Sequence, residues 1–186
     1  MLKILHKLGR TDGTEIVEAA VVLPLVFMFL MGIVWFGRAF NIYSTITQAA
    51  EQGAATAARP VCATCPAPAD HWTINNSFPG DPTVQNVVSS VMQASSLDPS
   101  QIRVYFPVVT PCPTPAYPTF SCSQTSNNIT VCRSVLLNPS AAVPPPPPQC
   151  GMIVSFQYPF QMNLPFTSLN MQPIVLKAQA QSRMEN

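Results

Sequence analysis

The sequence predicts an α+β protein: one long N-terminal helix, a second short helix, and a small antiparallel sheet with Pro-rich, disulfide-bearing loops. Three observations carry that expectation. An uncharged run from Ala19 to Gly37 continues at helical spacing as far as Arg59, with no proline between Pro24 and Pro60. Short β-patterned runs recur only in the second half of the chain. All six cysteines, and 20 of the 21 prolines, lie after the apolar run.

The long helix has two characters. Ala19 to Phe36, at 1.5 Å per residue, spans roughly 27 Å, close to the ~30 Å hydrocarbon thickness of a bilayer. Pro24 falls inside it, as membrane helices tolerate better than soluble ones. From Arg38 to Arg59, Ala39, Ile42, Tyr43, Ile46, Ala49, Ala50, Gly53 and Ala57 recur as one apolar stripe. Taken as one rod, Thr14 to Ala58 is roughly 67 Å long. The stripe is suited to covering the core of a soluble domain, and its small residues also suit close helix packing between subunits.

Beyond Pro60 an irregular Pro/Cys segment precedes Asp81-Pro82, which reads as an N-cap followed by proline at the first helical position. Val84, Val87, Val88, Val91 and Met92 form a helical stripe ending near Leu97-Asp98-Pro99. Strands are expected at Ile102–Val109, shortened or placed at an edge by Pro107, then at Asn128–Leu137, Met152–Tyr158 and Ile174–Gln181. In the last, Ile174, Leu176, Ala178 and Ala180 share one face, opposite Val175, Lys177, Gln179 and Gln181. Pro111–Ser126 reads as a loop, and Pro144–Pro148 as a stiff polyproline II spacer. Asn75-Asn76-Ser77 and Asn128-Ile129-Thr130 match the glycosylation pattern by chance.

Composition narrows the functional classes. Charged residues make up 9 % of the 186, against ~25 % in ordinary soluble proteins. The formal net charge is +1, and no Lys/Arg stripe offers a nucleic-acid surface. Enzymatic chemistry finds little to work with. His6 and His71 are the only histidines, and Asp70, Asp81, Asp98 and Glu185 show no paired spacing for acid/base work. No phosphate loop, nucleophile elbow or zinc-protease motif is present. The reading is therefore a non-enzyme with no catalytic residue, cofactor or metal, and no small-molecule substrate. Asp70-His71 beside Cys62 and Cys65 is the only polar cluster.

Cys62, Cys65, Cys112, Cys122, Cys132 and Cys150 are an even set on one side of the apolar run, which fits disulfides in an oxidising compartment. Spacing does not choose among the fifteen pairings of six cysteines. Cys62-x-x-Cys65 also fits a redox motif or half a zinc site. It lies, however, in Pro-rich sequence without a thioredoxin-like pattern, and no second closely spaced ligand pair exists.

Orientation follows from Lys3, Lys7 and Arg10, which precede the apolar run, whereas Arg38 stands alone after it. The positive-inside rule keeps the N-terminus cytoplasmic and sends the bulk outward. Three readings then compete for the N-terminal segment. A secretory signal peptide would have too long an apolar region and lacks a small-x-small site directly after it. A plain signal anchor explains length and orientation but not Gly13 and Glu18. A prepilin-type leader explains both: a peptidase cuts after Gly13, Thr14 becomes the N-terminus, and Glu18 falls at the fifth mature position. A carboxylate at the lipid edge needs a partner, and a freed ammonium supplies one, which would set subunit register in an assembly. Cleavage removes three of nine basic and one of eight acidic residues, shifting the formal charge from +1 to about −1.

The stretch GTEIVEAAVVLPLVFMFLMGIVWFGRAF, continuing as NIYSTITQAAEQGAATAAR, resembles the TadE-like pseudopilins of tight-adherence (Flp-type) pilus systems. The resemblance rests on Gly13, Glu18, Leu23-Pro24, Phe36-Gly37-Arg38-Ala39 and Ala49-Ala50-Glu51-Gln52-Gly53-Ala54. It departs at Ala19, where members commonly carry an aromatic. A weaker echo lies in PIVLKAQAQSRMEN. The resemblance implies a pilin-like architecture: leader 1–13, transmembrane-to-amphipathic helix 14–59 and extracytoplasmic domain 60–186. It further implies a minor, single-pass inner-membrane subunit with the C-terminal domain in the periplasm. Its partners would be membrane lipid, a prepilin peptidase, other pilins or pseudopilins, and the tight-adherence assembly machinery. An uncleaved, membrane-anchored binding or adhesion protein is the competing function.

Overall fold

The computed structural model describes residues 12–59, 78–113, 120–139, 147–161 and 172–184, with the side chains of the first helix described from residue 17. The leader residues 1–11, the Cys62-x-x-Cys65 pair, Asp70, His71, the Asn75 glycosylation pattern, Glu185 and most of the proline run lie outside these. The elements are α1 (Asp12–Ala58), α2 (Asp81–Ala94), a 3-10 turn (Pro99–Gln101), and strands β1 (Ser121–Gln124), β2 (Thr130–Leu136), β3 (Cys150–Phe160) and β4 (Ile174–Arg183). The strands form one antiparallel sheet in the order β1-β2-β3-β4. Two units divide the chain between Asn41 and Ile42, within α1.

In the second unit, α1 presents the small-residue face that the sequence pattern predicts. Ile46, Ala49, Ala50, Ala54 and Ala57 are buried with Val84, Val88 and Met92 of α2 and Val131, Met152, Val154 and Phe156 of the sheet. Gly53 sits at the closest approach. A Cβ there would come within 2.7 Å of Val88 Cγ2 and 3.4 Å of Val154 Cγ1. Tyr43 departs from the expected stripe, being 48 % exposed, because its ring falls off the face that Ile42 and Ile46 present to the core.

α2 starts one residue earlier than expected. Gly80 takes the N-cap, and Asp81 opens the helix with Pro82 behind it, a shift within the ordinary play of helix ends. The freed Asp81 carboxylate accepts two hydrogen bonds from Arg133, at 2.8 and 3.0 Å, and Arg133 also donates to the Pro79 carbonyl. The helix closes without glycine. Ser96, at φ 59°, takes the left-handed position, its N–H donates to the Gln93 carbonyl, and Leu97 N–H reaches back to Met92. Asp98 then caps the 3-10 turn by accepting from Ser100 N–H, and that hydrogen bond holds its carboxyl below the ordinary carboxylate range.

β2 contains a bulge that redirects its side chains. Cys132 pairs with Ile153 but Val135 pairs with Gly151, so one extra residue is inserted. Ser134, at φ 56°, absorbs the kink. Before the bulge, Val131 faces the helices and Cys132 the opposite side. After it, Val135 joins Cys132 and Ile153 in a second apolar cluster, while Leu136 packs on the main core. Opposite the bulge, a Cβ on Gly151 would collide with the Ser182 carbonyl and with Leu137.

Two expectations need correction. Ile102–Val109 is not a strand. It makes a single bridge, with Arg103 and Gln157 exchanging backbone hydrogen bonds of 2.8 and 2.9 Å. After that, side chains replace the ladder: Gln157 Nε2 donates to the Val104 carbonyl, and Ser155 Oγ to that of Tyr105. Pro107, which lacks an N–H, could not have continued a ladder. The segment ends by bonding β2's edge, with Cys112 N–H donating to Ser134 and Leu136 N–H to Thr110. Conversely, the expected loop Pro111–Ser126 contains strand β1. β2 also begins at Thr130 rather than Asn128. Asn128 takes φ 61°, and its side-chain amide donates to the Ile102 carbonyl, so the second glycosylation pattern is occupied in holding two loops together.

Four cysteines form two disulfides: Cys112–Cys150, with Cα atoms 6.0 Å apart, and Cys122–Cys132, between directly paired residues of β1 and β2. They close chain separations of 38 and 10 residues, which chain-entropy reasoning values at roughly 4 and 3 kcal/mol.

Two expected outcomes follow. Gly53→Leu should lower stability by about 1–3 kcal/mol through overpacking, read as a fall in thermal midpoint, and an unchanged midpoint would remove the close approach from the account. A thiol titration of denatured, unreduced protein should find none of Cys112, Cys122, Cys132 or Cys150 reactive, as peptide mapping of the labelled chain would report.

Candidate functional site

The first unit contains the N-terminal part of α1, and its chemistry is set by apolar residues that are, among the described residues, mostly exposed. Val21, Leu23, Leu25, Met28, Phe29, Leu30, Ile33, Val34, Phe36 and Phe40 are each more than half exposed and spread around most of the helix, while Met31, Trp35 and Ala39 along one side are partly covered. Facing water, that surface would cost on the order of tens of kcal/mol. A helix that is apolar all round, rather than along one stripe, is built for burial or for lipid. Val17–Ala58 is the one described helix long and apolar enough to cross a membrane. The helix runs unbroken through Pro24.

The ends of this stretch carry its polar groups. Trp35 and Arg38 lie one turn apart, with the guanidinium 5.9 Å from the indole ring, and Tyr43 follows. Aromatic and basic residues of this kind anchor helices at the membrane–water boundary. At the other end Glu18 is exposed, and among the described residues it has no ion-pair partner. Gly13 and Thr14 lie in the first turn of α1, so the expected scissile bond is at a helix end, where fraying is easiest.

One face of the stretch is grooved. Leu25, Phe29, Ile33, Phe36 and Phe40 follow helical spacing around Gly32 and Gly37, and beyond the adjoining residues and the helix's own backbone nothing comes within 4 Å of where a Cβ would stand on either glycine. The glycine notches open a wall that the phenylalanines frame. Length and lack of charge mark the apolar run in the sequence but not this notch, although two glycines among large residues on one helical face stand in the letters.

Among the described residues no group of three His, Cys, Asp or Glu comes together to hold a metal ion. The four described site cysteines are all in disulfides, and Cys62 and Cys65 lie outside the described residues. Asp81, counted above among the acidic residues, is held by Arg133.

These features define an α+β protein with, among the described residues, one candidate membrane-spanning helix, near the N-terminus. Residues 13–55 match the family model described as TadE-like protein, so over this segment the chain is similar to that family. That family is a structural one associated with pili. No curated protein and no solved structure matches the chain.

An aspartate in place of Phe29, near the middle of the apolar stretch, should disfavour membrane insertion by about 3 kcal/mol on insertion scales. Alkaline carbonate extraction reads this directly: the natural chain stays with the membrane pellet, and Phe29→Asp moves to the soluble fraction. Equal retention of both would deny the stretch a place in lipid.

Proposed function

We propose that this chain is a minor pseudopilin, a non-enzymatic assembly subunit of a tight-adherence pilus or a related secretion apparatus, matured by a prepilin peptidase that cuts between Gly13 and Thr14. The observation that carries the proposal is the family match over residues 13–55, which opens on Gly13 and takes in Glu18 and the whole apolar stretch. In this reading the basic leader fixes a cytoplasmic N-terminus, and the cut then removes it. The new ammonium on Thr14 and the Glu18 carboxylate of a neighbouring subunit neutralise each other at the lipid edge. Either group left alone there is costly, so the pair sets the axial register of subunits. The notched face of α1 supplies the packing surface between neighbouring helices, where small residues admit close approach. The second unit lies in the periplasm, which fits its disulfides.

The N-terminus of the protein recovered from inner membranes tests the processing step. A chain beginning at Thr14 is expected, and one beginning at Met1 would favour an uncleaved anchor carrying a binding or adhesion domain. Glu18→Ala should insert and be cleaved normally. It should nonetheless reduce pilus output by at least about tenfold, since an unpaired charge in a low-dielectric site costs several kcal/mol. Full pilus output from that variant would take Glu18 out of the mechanism.

A further inference from the structure

The two disulfides differ in what surrounds their sulfurs. Cys112 and Cys150 are 8 % and 5 % exposed and belong to the main core cluster. Backbone hydrogen bonds tie down both, with Cys112 N–H donating to Ser134 and the Cys150 carbonyl accepting from Met184. Cys122, by contrast, is exposed, while the Cys132 to which it is bonded is fully buried in the small cluster with Val135 and Ile153. Of these two disulfides, a thiolate approaching the folded chain therefore reaches one sulfur, that of Cys122. Exchange depends on access to the sulfur under attack.

The strand that carries Cys122 has little else to hold it. β1 is four residues long, none of its side chains is buried, and none joins either apolar cluster. Beyond its ladder with β2 it has, among the described residues, a long hydrogen bond of 3.4 Å from Ser123 Oγ to the Val131 carbonyl and one from Gln124 Nε2 to Asn128 Oδ1. The turn that follows is anchored on its own account. Thr125 and Ile129 are buried; Thr125 N–H donates to the Ile129 carbonyl, and Ile129 N–H to Thr125 Oγ1. Ser126 and Asn127 reach Gln85 and Ser89 of α2. A release of β1 therefore stops at Thr125 and leaves the turn in place.

We propose that Cys122–Cys132 is a reducible latch on β1, with Cys122 as the point where a thiol reductant enters. A reductant thiolate attacks Cys122 Sγ and forms a mixed disulfide there, while the Cys132 sulfur leaves as a thiolate and takes a proton from solvent. The second thiolate of a dithiol then attacks the mixed disulfide at the reductant's own sulfur. That closes the reductant's disulfide and releases Cys122, which is protonated in turn. Two electrons pass to the chain, and two thiols appear where one disulfide stood. With the bond open, β1 comes away from β2 as far as Thr125 and bares the backbone edge from Thr130 to Arg133. Cys112–Cys150 stays closed, and with it the cover that Thr110–Cys112 gives the same edge past the bulge. The proposal stands apart from the role of Glu18 and from processing at Gly13.

Graded reduction of the full chain in nanodiscs, without denaturant, tests it. After dithiothreitol and alkylation, peptide mapping should find Cys122 and Cys132 labelled together at a reductant concentration at least about tenfold below that which opens Cys112–Cys150. At that concentration the amides of Ser121–Gln124 should lose hydrogen-exchange protection at least about tenfold, with β3 and β4 unchanged. Reduced glutathione, a monothiol, reports the point of attack: its adduct should sit on Cys122, with Cys132 free for alkylation. The proposal is overturned if all four cysteines open together, if the adduct sits on Cys132, or if β1 keeps its protection once its disulfide is open. Cys122→Ser combined with Cys132→Ala gives the strand readout without reductant. There β1 should exchange as in the reduced natural chain while Cys112 and Cys150 remain bonded, and protection equal to that of the oxidised natural chain would equally overturn the latch.

Discussion

The second unit depends on how closely α1 approaches α2 and the sheet. Gly53, flanked by Ala49, Ala50, Ala54 and Ala57, is the point of that approach, with Val88 and Val154 occupying the space a side chain would need. Because the helix contributes so little bulk, the sheet supplies it: Met152, Phe156 and Tyr158 on β3 are long and buried, and Val84, Val88 and Met92 fill from α2. The division of labour is one of volume, since interiors are packed to near-crystalline density. A helix with large residues on this face would hold the layers apart and leave the valines without contacts.

The same helix satisfies a second and opposite demand. Before Asn41 its side chains are mostly apolar and exposed around most of the circumference, and from Ile42 onward they are sorted into a buried face and a polar one. No change of backbone accompanies the change of chemistry, because a helix is indifferent to its surroundings once its backbone groups are paired. The sheet shows comparable economy. One inserted residue at Ser134 lets β2 give Val131 to the main core and Val135 to the opposite face. It leaves Arg133 on the helix side, where it reaches Asp81 at the start of α2.

The parts of the fold readable from sequence are those where a period runs long enough to average out local choices. α1 carried its pattern over dozens of residues, α2 had a valine stripe with proline at its start, and β4 alternated cleanly, with Ala178 and Ala180 buried between exposed Lys177, Gln179 and Gln181. Where single side chains decide, the letters misled. Ile102–Val109 has strand composition, yet Gln157 and Ser155 bond its carbonyls from the side, and Pro107 denies it a ladder. β1 has loop composition, Ser-Cys-Ser-Gln, and is a strand because Cys122 is tied to the residue it pairs with on β2. Ser134 and Ser96 occupy left-handed positions where sequence reasoning looks for glycine or asparagine. For the candidate site, the apolar run was legible from its length and lack of charge, while the groove around Gly32 and Gly37 escapes a reading for membrane length, which does not ask which helical face each glycine takes.

The central claim is that α1 changes solvent between Phe40 and Ile42, from lipid to protein core. A nitroxide scan of single-cysteine positions from Val17 to Ala58, in protein reconstituted into bilayers, tests it most directly by comparing collision with oxygen, which concentrates in lipid, and with a water-soluble nickel complex. The account predicts high oxygen and low nickel accessibility on every face as far as Phe40. Beyond Ile42 it predicts a 3.6-residue oscillation, with minima at Ile46, Ala50, Gly53 and Ala57. A 3.6-residue oscillation in nickel accessibility between Val21 and Phe36 would contradict it, because that stretch would then lie on a protein surface rather than in the membrane.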